Sequence, residues 1–182
     1  MGDLLGRRSR RRPFGVFLGW LLGMPVLGRW LARIGRLPNK LPVSARVTHL
    51  HAWLIRRSGG RLRHSWLFAA GQPVLSLTTT GRRTGAARST AVACFNARDD
   101  LVVAGMNLGL ERNPAWALNL EANPHAEIDI GGETIPVIAR RAEGNEAIRL
   151  WRRWVELQPS ATAYRELARR EIPLFVLERH GQ

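Results

Sequence analysis

Pro73-Val74-Leu75-Ser76-Leu77-Thr78-Thr79-Thr80-Gly81-Arg82-Arg83-Thr84-Gly85-Ala86-Ala87-Arg88-Ser89-Thr90-Ala91-Val92-Ala93-Cys94-Phe95 sets the architecture of this chain. The apolar runs Pro73–Leu77 and Ala91–Phe95 read as parts of two strands, 73–80 and 87–95, joined by a tight basic turn. That turn gathers hydroxyls, two glycines and Arg82 and Arg83, with Arg88 just beyond it. Backbone N–H groups, hydroxyls and guanidinium forks together suit a phosphate or a carboxylate. The competing reading of the same residues is a solvated hairpin whose arginines face water.

Downstream, short period-two segments predict further strands at about 100–106, 125–130, 134–142 and 172–178. Asn96–Asp99 is a polar turn, and Gly131-Gly132 is a two-residue hairpin signal. Asn113-Pro114 opens a short helix through Glu121, with proline suited to the first helical position. Glu143–Leu157 carries Ile148, Trp151 and Val155 at helical spacing, and Ala161–Arg170 continues as helix after Pro159-Ser160. Strands and helices do not alternate as βαβ units, which argues against a doubly wound sheet. The expected class is α+β, mainly β: a small six-stranded antiparallel barrel with peripheral helices.

Charge divides the 182 residues unevenly. Residues 1–60 hold 12 of the 28 Lys/Arg and one of the 14 acids, Asp3, so +11 of the net +14 sits there. Within this arm Phe14–Leu27 is apolar at helical spacing, and Leu27, Leu31 and Ile34 oppose Arg29, Arg33 and Arg36. A cationic amphipathic helix of this kind suits an anionic membrane surface better than a nucleic-acid groove. Its apolar core falls short of the roughly 20 residues that a spanning helix needs. Residues 7–36 are therefore expected to lie on the inner face of the cell membrane, with a cytoplasmic body and no nucleic-acid partner. Ser9-Arg10-Arg11-Arg12-Pro13-Phe14 leaves a twin-arginine export signal open, and a partly disordered arm is the other rival. Val43–Arg57 reads as a helix stopped by Ser58-Gly59-Gly60, followed by a basic connector. The expected division is arm 1–40, helix and connector 41–72, and barrel 73–182.

Cys94 is the single cysteine, so the chain has no intramolecular disulfide or thiolate cluster, and Cys94 itself reads as a small buried hydrophobe. His49 and His51 would point to different sides of a helix, and no HExxH or carboxylate constellation accompanies them, so no metal site is expected.

Four ordered motifs carry a resemblance. Pro73-Val74-Leu75-x-Leu77-Thr78-Thr79-Thr80-Gly81-Arg82-Arg83-Thr84-Gly85-x-x-Arg88 is followed by Leu101-Val102-Val103-Ala104. Asn113-Pro114-x-Trp116-x-Leu118-Asn119-Leu120-x-Ala122-Asn123-Pro124 and Arg170-Glu171-Ile172-Pro173 come next. Over about Leu41–Glu178 the chain resembles the deazaflavin-dependent nitroreductases, whose fold is similar to the flavin-binding split β-barrel. The resemblance implies hydride transfer from C5 of reduced coenzyme F420 to a quinone or nitroaromatic acceptor.

It further implies that Arg82, Arg83, Thr84 and Arg88, with the loop N–H groups, meet the phosphodiester and polyglutamate tail. Ala104, Gly105, Met106 and Asn107 would lie along the deazaflavin ring, with Gly105 allowing close approach. Ala115, Trp116, Ala117, Leu118 and Asn119 would stand beside the cofactor. Tyr164, the only tyrosine, is the catalytic candidate, with either its hydroxyl or water delivering the proton. Gln158 and Ala161 occupy positions where relatives often carry tyrosines around the acceptor, and Met106 stands where some have serine. Two alternatives stay open: an F420 carrier with little turnover, and an FMN-using split-barrel oxidoreductase.

Overall fold

In a computed structural model, residues 72–130 and 132–179 are described. The expected arm 1–40 and segment 41–72, apart from Gln72, lie outside them, and with them the membrane-surface helix expected in residues 7–36 and the helix expected at Val43–Arg57. Alternating segments such as His125–Ile130 and Glu133–Arg141 and continuous apolar runs such as Leu101–Val103 and Leu174–Leu177 together form six strands. They are β1 (Val74–Thr80), β2 (Ala87–Ala97), β3 (Asp100–Ala104), β4 (His125–Ile130), β5 (Glu133–Arg141) and β6 (Leu174–Arg179). All pairings are antiparallel, and the sheet closes in the order β1-β2-β3-β6-β5-β4 with β4 against β1. Closure leaves no free edge strand in this sheet. The antiparallel barrel predicted from the strand pattern is the fold observed.

One residue set points inward on each strand. Leu75 and Leu77, Val92 and Cys94, Leu101 and Val103, Ala126 and Ile128, Val137 and Ala139, Phe175 and Leu177 fill the barrel. Helix α1 (Ala115–Ala122) plugs one end with Ala117 and Leu120, and Trp116 packs edge-on against Phe175 with ring centroids 5.9 Å apart. Two further helices, α2 (Gly144–Leu157) and α3 (Ala161–Ala168), belong to a second core. There Trp154 of α2 and Ala161 of α3 join Phe95, Val102, Leu174 and Val176, and Trp154 meets Phe95 edge-to-face at 5.5 Å. Val102 and Val176 are register partners on the outer barrel face, so this core lies outside the barrel wall. Arg140 of β5 binds Glu146 of α2 and Glu178 of β6, pinning the start of α2 to the wall.

Most boundaries shift by one or two residues from the sequence expectation, and three of the shifts have a visible cause. β3 ends at Ala104: the Gly105 N–H still bonds in register to the Pro173 carbonyl, but Pro173 has no N–H to return, and the Met106 N–H turns back to the Ala104 carbonyl. Pro114 is the N-cap of α1, extended at ψ 152°, and Ala115 takes the first helical position. α3 stops at Ala168 where Arg169 turns left-handed at φ 51°. The β4–β5 register pairs Ile130 with Glu133, so the predicted two-residue connection is present.

Candidate functional site

In an antiparallel barrel, alternate connections gather at one end. The end of β1, the start of β2, the end of β3, the starts of β4 and β6 and the end of β5 share one rim here. That rim therefore brings together the basic turn, the β3 exit, α1 and the Arg170–Pro173 segment. All four motifs singled out in the sequence reach this end of the barrel.

The turn is self-braced. Gly81 N–H bonds to the Ala86 carbonyl at 2.9 Å, and Thr84 and Gly85 N–H both bond to the Gly81 carbonyl, with Gly85 at φ 67°. A Cβ on Gly81 would stand 3.0 Å from the Ala86 carbonyl oxygen, so this tight closure favours glycine. Asn119 then latches the turn to α1. Its Oδ1 accepts from the Arg82 N–H at 3.2 Å, and its Nδ2 donates to Thr79 Oγ1 at 3.0 Å. Asn119 and Thr79 are buried, so this strut is shielded from water.

Most of the loop N–H groups expected to cradle an anion are thus spent inside the protein. The outward donors are the Arg82, Arg83 and Arg88 guanidinium groups and the Thr84 hydroxyl, all on exposed residues. Thr84 Oγ1 only accepts a long contact from the Ala86 N–H. Among the described residues no carboxylate forms an ion pair with any of these three arginines; the ion pairs present use Arg140, Arg141 and Arg153. A cavity of about 340 Å³ opens at the foot of the turn, lined by Thr78, Thr80, Ala87, His125, Glu127 and Pro136 among others.

At the β3 exit Ala104, Met106 and Asn107 are half-buried and Gly105 is buried. The close approach at Gly105 is made by the protein itself. A Cβ there would lie 2.9 Å from the Pro173 ring and 3.5 Å from that of Pro114. On α1, Ala115 is exposed, Trp116 and Leu118 are half-buried, and Ala117 is fully buried in the barrel core. The Ala117 and Asn119 side chains are therefore turned into the protein, while Ala115 and Leu118 remain at the surface of the rim.

Tyr164 is buried on α3, which packs on the 3-10 turn Asn107–Gly109. The contact is tight, since a Cβ on Gly109 would meet the Tyr164 carbonyl oxygen at 3.2 Å. Burial raises the Tyr164 phenol above its ordinary value, so it stays protonated. Gln158 and Ala161 sit in the buried joint between α2 and α3, where Gln158 accepts from Trp154 Nε1 and donates to Ser160 Oγ. They complete a helix junction, and neither lines an open surface. Cys94 is wholly buried, and desolvation pushes its thiol up to about 12, in keeping with the structural role read from the sequence.

Arg170 was seen in the sequence only as part of a motif. Its Nε donates to the Leu110 carbonyl at 3.1 Å and its Nη1 to that of Glu171 at 3.0 Å. Nη2 reaches the carbonyls of Gly105 at 2.9 Å, Arg112 at 3.2 Å and Met106 at 3.4 Å. One side chain thus gathers the loop that leaves β3 onto the segment that enters β6.

Known proteins are similar to this chain in sequence and fold. A family model described as F420H(2)-dependent quinone reductase matches residues 47–179. The F420H(2)-dependent quinone reductase Rv1261c of Mycobacterium tuberculosis is 30% identical over 156 residues, which cover 84% of this chain and 98% of the relative. A solved F420-H2 dependent reductase, FDR-A, is 29% identical with a TM-score of 0.53, covering 58% of this chain and 94% of its own. Another solved chain, described as a domain-swapped dimer, is 25% identical with a TM-score of 0.54, covering 69% of this chain and 97% of its own. With a family match across the whole barrel and a relative aligned along nearly its full length, the chain belongs to the F420H(2)-dependent quinone reductase family.

Proposed function

We propose that this protein binds reduced coenzyme F420 at the described rim and reduces a quinone. The observation that carries the reading is the set of three exposed arginines, free of carboxylate partners among the described residues, on the rim shared with the β3 exit and next to the cavity at the foot of the turn. A phosphodiester followed by a polyglutamate tail presents several negative charges, and exposed guanidinium forks match them with paired donors. The residues present fit that group: Arg82, Arg83, Arg88 and Thr84 would hold the anionic part. Met106, Asn107, Ala115 and Leu118 would border the ring. When bound, reduced F420 supplies a hydride.

The protein's own part is to neutralise the tail, fix the turn through Asn119 and shape the acceptor side at the β3 exit. Tyr164, kept protonated by burial, is the candidate proton donor to the reduced acceptor. Nitroaromatic compounds are a second acceptor class compatible with the same hydride chemistry. The amphipathic segment 7–36 supports a peripheral position at an anionic membrane, where lipid-soluble quinones reside.

Fluorescence titration of the purified chain with F420 and with FMN tests the cofactor. Tighter binding of F420 is expected, with Arg83→Ala and Arg88→Ala each weakening it about tenfold. Unchanged affinity in both variants would refute the arginine cradle. FMN preference would select the flavin reading, and tight F420 binding without acceptor reduction would select a carrier.

A further inference from the structure

The β3 exit contains a backbone feature that cofactor binding alone does not require. Asn107, Leu108 and Gly109 are consecutive left-handed residues, at φ 46°, 54° and 74°. Glycine takes this conformation freely, whereas a leucine pays a steric penalty for it. The turn nevertheless exposes Leu108, which is 51% accessible and one of two large hydrophobic residues exposed among those described.

Three devices hold the strained turn. Arg170 grips the carbonyls of Gly105, Leu110 and Arg112 around it. Asn107 Nδ2 donates to the Arg112 carbonyl at 2.9 Å. Gly109, at φ 74°, seats against Tyr164 and Leu167 of α3, where a Cβ would stand 3.1 Å from Leu167 Cβ. Strain maintained by surrounding structure is a mark of a working site, and here it holds an apolar side chain in water beside Met106.

We propose that Leu108 is an acceptor-contacting residue, selecting quinones that carry an apolar side chain, and that Arg170 is the positioning residue that holds its turn. The inference rests on the F420-dependent reading of this rim and adds the element that grips the acceptor. Leu108 covers the apolar tail of the acceptor. Arg170 touches neither substrate nor cofactor, and acts through the backbone of residues 105–112.

The test uses the full chain saturated with reduced F420 and two quinones of the same ring, one bare and one with an isoprenoid chain. Leu108→Asn keeps a residue that tolerates the left-handed turn while removing the apolar surface. It is expected to raise KM for the tailed quinone about tenfold, the order of burying one leucine side chain. KM for the bare quinone and F420 affinity stay within about twofold. Arg170→Lys, which cannot reproduce the fork, is expected to raise KM for the tailed quinone in the same direction as Leu108→Asn, with KM for the bare quinone within about twofold. An unchanged KM for the tailed quinone in Leu108→Asn, or an equal rise for both quinones, would overturn the Leu108 contact. A folded Arg170→Lys protein with altered Tm and unaltered kinetics would overturn the positioning role. If Arg170→Lys does not fold, Leu108→Asn alone decides the contact. Failure of the unsubstituted chain to bind F420 would remove the underlying reading as well, and is separately visible in the titration.

Discussion

Asn119→Ala separates the strut from the rest of the rim, and its cost follows from the contacts. The substitution removes two hydrogen bonds, to the Arg82 N–H and to Thr79 Oγ1. Arg82 is exposed, so its N–H recovers a water, and that loss is about 1 kcal/mol. Thr79 is 2% exposed inside the barrel, and its stranded hydroxyl costs about 1–3 kcal/mol. The sum is about 2–4 kcal/mol, a large share of the stability of a small domain. Urea unfolding measures it.

A double-mutant cycle with Thr79→Val isolates the cause. Once the Thr79 hydroxyl is gone, Asn119→Ala no longer strands it, so the double variant should be about 1–2 kcal/mol more stable than additivity predicts. Coupling below about 0.5 kcal/mol would refute the strut, because independent sites add within that margin. The same cut frees the turn, so F420 affinity should fall about tenfold, or 1.4 kcal/mol. Full affinity in a folded Asn119→Ala protein would show that the latch does not order the arginines.

Three further outcomes are expected. Cys94, with its thiol raised to about 12, should resist alkylation at pH 8 until the protein is unfolded; rapid stoichiometric labelling of the folded chain would contradict its burial. Burial, together with Glu178, Asp99 and Glu146, raises the Asp100 carboxyl, against the opposing pull of Arg140. A raised folded value gives stability that is present below the unfolded value and is lost as pH climbs through the folded one. Asp100→Asn should therefore raise Tm at pH 7, with the gain shrinking toward about pH 4, and a constant offset in thermal melts would count against this. Tyr164→Phe should lower kcat for quinone reduction about tenfold or more while leaving F420 affinity intact. Because burial raises the phenol, wild-type activity should show no loss from its ionisation up to about pH 10.

The barrel was legible because period-two alternation reports directly which residues face a barrel core. Leu75 and Leu77 on β1 and Val92 and Cys94 on β2 point inward, as the alternation requires. Helix α2 was equally clear from the spacing of its apolar residues. Its partner, the outer core around Phe95, Val102 and Val176, was not, because one-residue alternation gives no sign of which helix covers the second face. The basic turn was legible as a turn, but its internal bonding was not, since Asn119 lies 37 residues from Arg82. Arg170 was the least accessible in its role. Its acceptors are backbone carbonyls 58 to 65 residues away for four of its five bonds, and carbonyls carry no side-chain signature. Leu108 also gave no signal, because a left-handed leucine looks like any other leucine in a sequence.

Binding of F420 and FMN by the purified full chain, followed by fluorescence and then by turnover of the F420-saturated protein with a quinone, tests the central claim most directly. The account predicts tighter binding of F420 than of FMN and oxidation of reduced F420 that depends on the quinone. Preference for FMN, or F420 bound tightly with no quinone-dependent oxidation, would contradict it.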